Sequence, residues 1–447
     1  MAAPAGKDGG EAKKGGKDLK RINIKANPDA EKAGMKSYAS LLKKYDFTPT
    51  TEGPYQKMDV ATKNFKNLFK PKDKKSTKPV LTKAQEDGKS GEVKAEDQMN
   101  DSLYICPVEI GTPPQVMNLH FDTGSSDLWL WSTGLDAATQ TTGKSANHNI
   151  FNPRKSSTFK KLHSSTWHIR YGDGSNASGT VGTDNVVLGG LCIESQAIEL
   201  ASKLSPQFTK GAGDGLLGLA FGKINTVKPK PVKTPVENMM EQDDIPEDME
   251  VFTCYLGSWR DKDEVDEGES FFTFGYVDEG VVERCGAEPY YVPIDSSKGF
   301  WQFSSESATV GGKTIPRPGN TAIADTGTTL ALVSDELCRE IYAQIPGARF
   351  DKKQQGWVFP VGTQEDMLPK VTVAIGDRQF EIMKEDFGYA QCGDGMQYGG
   401  IQSRGDSGFD ILGDTWLKGI YAIFDQGKKR FGAVQRVEEH QNVTAPK

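Results

Sequence analysis

Two stretches decide the fold: HFDTGSSDLWL at residues 120–130 and IADTGTTLALV at residues 323–333. Each is an apolar strand end that runs into Asp-Thr-Gly and then two hydroxyl residues. The aspartates, Asp122 and Asp325, lie 203 positions apart. Each stretch has a later companion, GLLGLAF at 215–221 and DILGDTW at 410–416, so that Gly218 follows Asp122 by 96 residues and Gly413 follows Asp325 by 88. The same two units, in the same order and at nearly the same interval, mark a duplicated domain. One carboxylate per half, at matching places, predicts a pair that meets at a pseudo-twofold axis.

Two such carboxylates within a few ångströms cannot both ionise, so they share a proton. The ionised member is then a base for a water and the protonated one a donor to a carbonyl, which is general acid–base hydrolysis. Gly124 and Gly327 allow the tight turn that presents each carboxylate. Thr123 and Thr326 can bond to backbone across the axis, and Ser125 and Thr328 can donate to the outer carboxylate oxygens.

Working outward, the texture from Leu103 on is all-β: short apolar runs such as LYICPVEIG, TWHIRY, SFFTFGYV and KVTVAIG alternate with Gly, Asp, Asn and Ser clusters. A helix is predicted from Ser334, with Leu337, Ile341 and Ile345 on one face, and a weaker one over 234–240. Glycine at 49 of 447 residues fits a turn-rich chain. No run reaches the ~18 apolar residues of a membrane span. Six cysteines, none in CxxC, and five scattered histidines give no zinc spacing.

Charge divides the chain. Residues 1–100 carry a balance of +8 and residues 101–447 one of −15. An acidic body argues against a nucleic-acid partner and suggests that the basic head binds the body itself. Residues 1–30 read as disordered by composition. Met35, Tyr38, Leu42 and Tyr45 have helical spacing within 31–45, and 57–100 reads as a lysine-rich linker or loosely packed arm. The start, MAAPAGKDGGEAKKGGKDLK, has no apolar signal region.

The ordered set IGTPPQ (110–115), DTGSSDLW (122–129), YGDGS (171–175), DGLLGLAF (214–221), ADTGTT (324–329) and ILGDTWL (411–417) resembles the two-lobed, pepsin-like eukaryotic aspartic endopeptidases, in their fungal style, from about 103 to 435. The resemblance implies an all-β, bilobal acid-protease fold, divided into a basic prosegment and linker at 1–100, lobes at 101–277 and 278–437, and a tail at 438–447. It implies Asp122 and Asp325 as catalytic residues, with Thr123, Gly124, Ser125, Thr326, Gly327 and Thr328 in support. Tyr171 and Gly172 match the tip of a flap that closes on an extended peptide, Trp129 the partner of that tyrosine, and Asp173 a position able to pair with a substrate lysine. No metal and no organic cofactor are implied; the partners are protein and peptide substrates and the chain's own prosegment, on a monomer with no membrane span. Residues 1 to about 95 would be a removable inhibitor cut within 89–101, with a lysine over the two aspartates; Lys43, Lys44 and several others are candidates. The compartment implied is extracellular or vacuolar.

The second-lobe disulfide common among relatives is missing, its places holding Val361 and Tyr398. Cys106 and Cys254 lie in strand-like runs and read as buried thiols. Three features invite other readings. The GxGxxG at 213–218 lacks the following helix of a dinucleotide site, and the acidic run 261–269 lacks calcium-loop spacing. His120 beside the first aspartate reads as packing, with tuning of the pair as the sharper alternative. Asn100, Asn176 and Asn442 head glycosylation triplets. The competing function is a pepsin-like fold that binds peptides without cutting them; the presence of Asp122, Asp325 and Tyr171 favours the enzyme.

Overall fold

The computed structural model describes residues 12–14, 17–26, 33–57, 81–84, 90–92, 104–170, 176–209, 213–242, 244–258, 268–438 and 441–443. Strand Tyr104–Ile110 turns back into strand Gln115–Asp122, pairing Cys106 with Leu119 and Ile110 with Gln115. Alternate residues Cys106, Val108, Ile110, Met117, Leu119 and Phe121 face inward and are buried, as the period of two requires. Strand Gly215–Gly218 lies parallel to the end of Gln115–Asp122 and antiparallel to strand Leu128–Leu130. The Asp-Thr-Gly turn is thus held between two strands that are bridged by a third from far along the chain.

The second half repeats this arrangement. Strand Asp410–Leu412 lies parallel to Thr321–Ala324 and antiparallel to Ala331–Val333. The later glycines are explained by close approach: a Cβ on Gly218 would sit 2.5 Å from Ser126 Cα, and one on Gly413 would sit 2.1 Å from the Thr328 carbonyl oxygen.

In the first half, the strands run Leu191–Leu204, Leu128–Leu130, Gly215–Gly218, Gln115–Asp122 and Tyr104–Ile110, and Asn176–Leu188 pairs with both ends of this series. The ring of six strands is therefore closed. Lys160–Arg170 adds to Asn176–Leu188 as a hairpin whose tip, 171–175, lies outside the described residues. The second half is built from a five-stranded sheet and two four-stranded sheets. A six-stranded sheet draws on both halves, in the order Tyr290–Pro293, Arg430–Gln435, Ile420–Asp425, Val251–Tyr255, Phe271–Phe274 and Ile22–Asn23. This is the all-β, bilobal acid-protease fold.

The helix from Ser334 spans Asp335–Tyr342, with the Ser334 side chain accepting from the Leu337 N–H. The 234–240 segment forms Pro235–Glu241 behind a Thr234/Glu237 capping box. The 213–218 motif ends in strand Gly215–Gly218 rather than a phosphate loop, and only a short 3-10 turn, Gly222–Ile224, follows. Trp129, Trp131, Trp167, Trp301 and Trp416 are all core residues. Cys106 and Cys254 are buried thiols, and burial pushes both well above the ordinary thiol range.

The basic head differs from its compositional reading. Residues 17–26 carry strands, of which Ile22–Asn23 pairs with Phe271–Phe272 and Lys25–Ala26 with Tyr104–Ile105. Leu19 and Ile22 are buried in the main core. Composition could not show this, because the partner edges lie at residues 104 and 271. Within the supposed linker, Leu81–Ala84 and Ser90–Glu92 join Tyr55–Lys57 in a three-stranded sheet. Helix Gly34–Lys44 buries Tyr38 and Leu42, as the spacing predicts, and Leu41 beside them, whereas Met35 and Tyr45 are half-buried.

Candidate active site

Asp122 and Asp325 stand at the ends of their paired strands, 3% and 0% exposed. Their supports are mirror images. Gly124 N–H donates to Asp122 Oδ1 (2.8 Å) and Gly327 N–H to Asp325 Oδ1 (2.9 Å). Ser125 Oγ donates to Asp122 Oδ2 (2.7 Å), and Thr328 Oγ1 donates to Asp325 Oδ2. Across the axis Thr123 Oγ1 donates to the Ala324 carbonyl (2.9 Å) and accepts from Thr326 N–H (3.0 Å). Thr326 Oγ1 likewise donates to the Phe121 carbonyl (2.8 Å) and accepts from Thr123 N–H (3.1 Å). Each loop is thereby tied to the other's strand, which fixes the separation of the carboxylates.

Lys44, at the end of helix Gly34–Lys44, reaches both. Its Nζ is 3.2 Å from Asp122 Oδ1, 2.9 Å from Asp325 Oδ2 and 3.2 Å from the Gly327 carbonyl. Of the two lysines named from the sequence, Lys44 is the one on the pair. Tyr45 OH donates to Asp325 Oδ2, and its ring packs against Phe300 and Phe409, with centroids 6.0 and 6.3 Å away. Sequence reasoning missed Tyr45's polar role. The signal was its place beside Lys44, one turn beyond Leu41 on the helix's buried face.

The electrostatics split the pair. Burial raises Asp122, the Lys44 ammonium draws it down, and the Asp325 charge lifts it again, leaving it at about 6. Burial acts upward on Asp325 too, but it is outweighed by Lys44 and by hydrogen bonds from Asp122, Thr328 and Tyr45; Asp325 is lowered to about 2. Burial alone would depress Lys44, but the two carboxylates hold it above the ordinary lysine range. Below about 6 the set is one proton on Asp122, one charge on Asp325 and one ammonium between them; above it both carboxylates face the ammonium as charges.

Trp129 is fully buried and stacks on Trp167 of strand Lys160–Arg170, at 6.1 Å and 22°. Tyr171, Gly172 and Asp173, which the sequence leads one to expect at a flap tip, lie outside the described residues. His120 Nδ1–H donates to the Tyr104 carbonyl (2.9 Å), and burial lowers the imidazole below its ordinary value. Of the acidic run, Glu269 pairs with Arg21 of the head (2.8 Å), while 261–267 lie outside the described residues. Among the described residues no group of three or more His, Cys, Asp and Glu has metal-holding geometry, and no helix is long and apolar enough to cross a membrane.

A family model described as eukaryotic aspartyl protease matches residues 103–436. Aspergillopepsin-1 of Aspergillus flavus is 38% identical over 359 residues, which is 80% of this chain and 82% of the relative. Aspergillopepsin-1 of Aspergillus fumigatus is 39% identical over 346 residues, 77% of this chain and 81% of the relative. Endothiapepsin of Cryphonectria parasitica is 39% identical over 329 residues, 73% of each chain.

Proposed function

This chain belongs to the eukaryotic aspartyl proteases and is an aspartic endopeptidase, and from that premise we propose that Asp122 and Asp325 are its catalytic pair, silenced in the full chain by Lys44. The observation that carries this reading is the mirror-image hydrogen bonding of the two carboxylates around one ammonium.

With the arm withdrawn, a water takes the place of Lys44 Nζ between the carboxylates. The ionised member removes its proton as it attacks the scissile carbonyl, whose oxygen receives the proton of the other carboxyl. The tetrahedral intermediate collapses as the amide nitrogen is protonated, and the pair is restored. The chain is then a zymogen, with residues 1 to about 95 as prosegment, lobes at 101–277 and 278–437, and a cut within 89–101. It acts as a monomer on extended peptides beneath a flap tipped by Tyr171 and Gly172. The lysine hold weakens as Asp122 takes its proton, so the enzyme works in an acidic extracellular or vacuolar setting.

Asp122→Asn and Asp325→Asn should each lower kcat on a peptide substrate by at least about 100-fold, the lower value of a positioned acid–base group, with unchanged circular dichroism. A smaller loss in folded protein removes that residue from the pair. Asp173→Ser should lower kcat/KM for cleavage after Lys more than after Phe or Leu, because only the lysine makes a charge-assisted contact; equal losses would mean that Asp173 does not read charge.

A further inference from the structure

Beyond Lys44 the arm continues along the second half and reaches the hairpin turn between strands Arg349–Asp351 and Gly356–Pro360. There Gln355 grips one residue of main chain at two points. Tyr55 N–H donates to Gln355 Oε1 at 2.7 Å, and Gln355 Nε2 donates to the Tyr55 carbonyl at 2.8 Å. An amide used in this way pairs with the backbone as a neighbouring strand would and does not read the side chain. The passing chain fits closely, since a Cβ on Gly53 would lie 2.3 Å from the Gln355 amide carbon. Tyr55 is 5% exposed and belongs to the apolar cluster that holds Val358, Met396 and Tyr398 and extends to Tyr45 at the catalytic pair.

Gln355 also has a φ of 47°, in the left-handed region that suits glycine, at a cost of order 1 kcal/mol. A glycine there would remove that strain and lose the clamp. The contact has no charged group in it. Acid weakens the Lys44 hold, but a neutral amide keeps its bonds there. Once the arm leaves, the amide with its glycine-wide slot and the body's own share of that cluster, Val358, Met396 and Tyr398, remain as a seat.

We propose that this seat is an exosite for the polypeptide substrate: Gln355 binds extended main chain, and a Gly-x-aromatic segment fills the slot about ten residues from the bond being cut. This rests on the reading that the arm is removed on activation. It predicts that long unfolded substrates are favoured over short ones through KM.

The test uses the acid-activated chain and its Gln355→Ala and Gln355→Gly variants, the second chosen because it leaves the turn unstrained. Two substrates are compared: an unfolded peptide with Gly-Pro-Tyr about ten residues from its cut bond, and the same peptide trimmed to its central part. The wild type should favour the long peptide by about 10-fold in KM, the ~1.4 kcal/mol of a hydrogen-bond pair, and both variants should lose that preference. A free peptide of residues 47–57 should compete with the long substrate and not with the trimmed one. Equal preference in wild type and variants, no preference in the wild type, or binding of the free peptide without competition would each overturn the exosite. Mass spectrometry of the same samples separates the two readings: a cut chain without the preference sinks the exosite alone, whereas an uncut, fully active chain sinks the zymogen as well.

Discussion

The two aspartates are the residues most plainly written in the sequence, because a repeated motif exposes a symmetric pair without any reference to structure. Lys44 is not legible in the same way. Many lysines precede the body, and spacing does not say which one is aimed. What singles it out is the helix: Tyr38, Leu41 and Leu42 form the buried face, and Lys44 sits one turn past Leu41, where that face meets the cleft. Lys44 draws both carboxylates below the values they would have without it. Its hold on the pair is therefore full only above the value Asp122 would have without it, declines as pH falls from there through about 6, and keeps the Asp325 charge until about 2. Lys44→Met should let the arm loosen without acid, so that the chain begins to cut itself near neutral pH. Mass spectrometry after overnight incubation at about pH 7 checks this; a Lys44→Met chain as inert as the wild type would assign the inhibition to some other contact.

At the level of elements, the sequence shows the strands and the Leu-Gly units, but not the reason that strand Leu191–Leu204 carries Glu199 within an apolar run. Glu199 is fully buried, opposite Trp129 and Val181. Its carboxyl lies against Asp127, itself bound by Thr226 N–H (2.9 Å) and Thr226 Oγ1 (2.7 Å), and Asn225 Nδ2 reaches both acids, at 3.0 Å from Glu199 Oε1 and 3.3 Å from Asp127 Oδ1. Burial, and then the Asp127 charge, raise Glu199 well above the ordinary carboxylate range; burial raises Asp127 as well. A folded-state value above the unfolded one means that the native chain holds its proton longer. Stability is then full at acid pH and declines as pH rises from the unfolded value of 4.5 toward the folded one, by about 1.4 kcal/mol for each unit of pH climbed. Because the pair packs beneath the first aspartate's loop and the Trp129–Trp167 stack, the first half should be the part that fails. Glu199→Gln removes the titration and keeps an amide for hydrogen bonding. Thermal unfolding from pH 5 to 8 should show a flatter decline in Tm for the variant; parallel curves would exclude Glu199 as the source.

On the scale of the whole molecule, the opposite charges of head and body were readable, but the manner of their union was not. The head adds a strand to a sheet shared by both halves, and Arg21 fastens it: Nε donates to Asp278 Oδ2 at 2.9 Å, Nη1 to Glu269 at 2.8 Å, and the guanidinium stacks 4.2 Å over Phe271. Such contacts depend on which edges are bare, and no local pattern encodes that. Arg21→Ala should lower the stability of the full chain by about 2–3 kcal/mol at neutral pH, the range for a hydrogen-bonded charge left with unpaired partners, read from urea unfolding; no change would make the strand incidental. The central claim, that a pair of aspartates held shut by its own arm does the cutting, is tested most directly by dropping wild type and Asp325→Asn together from about pH 7 to about pH 4 and following mass and activity. The wild type should lose the arm through a cut within 89–101 and become active as it does so, while Asp325→Asn stays whole and inactive. Full activity in an uncut wild type, or self-cleavage and activity in Asp325→Asn, would contradict the account.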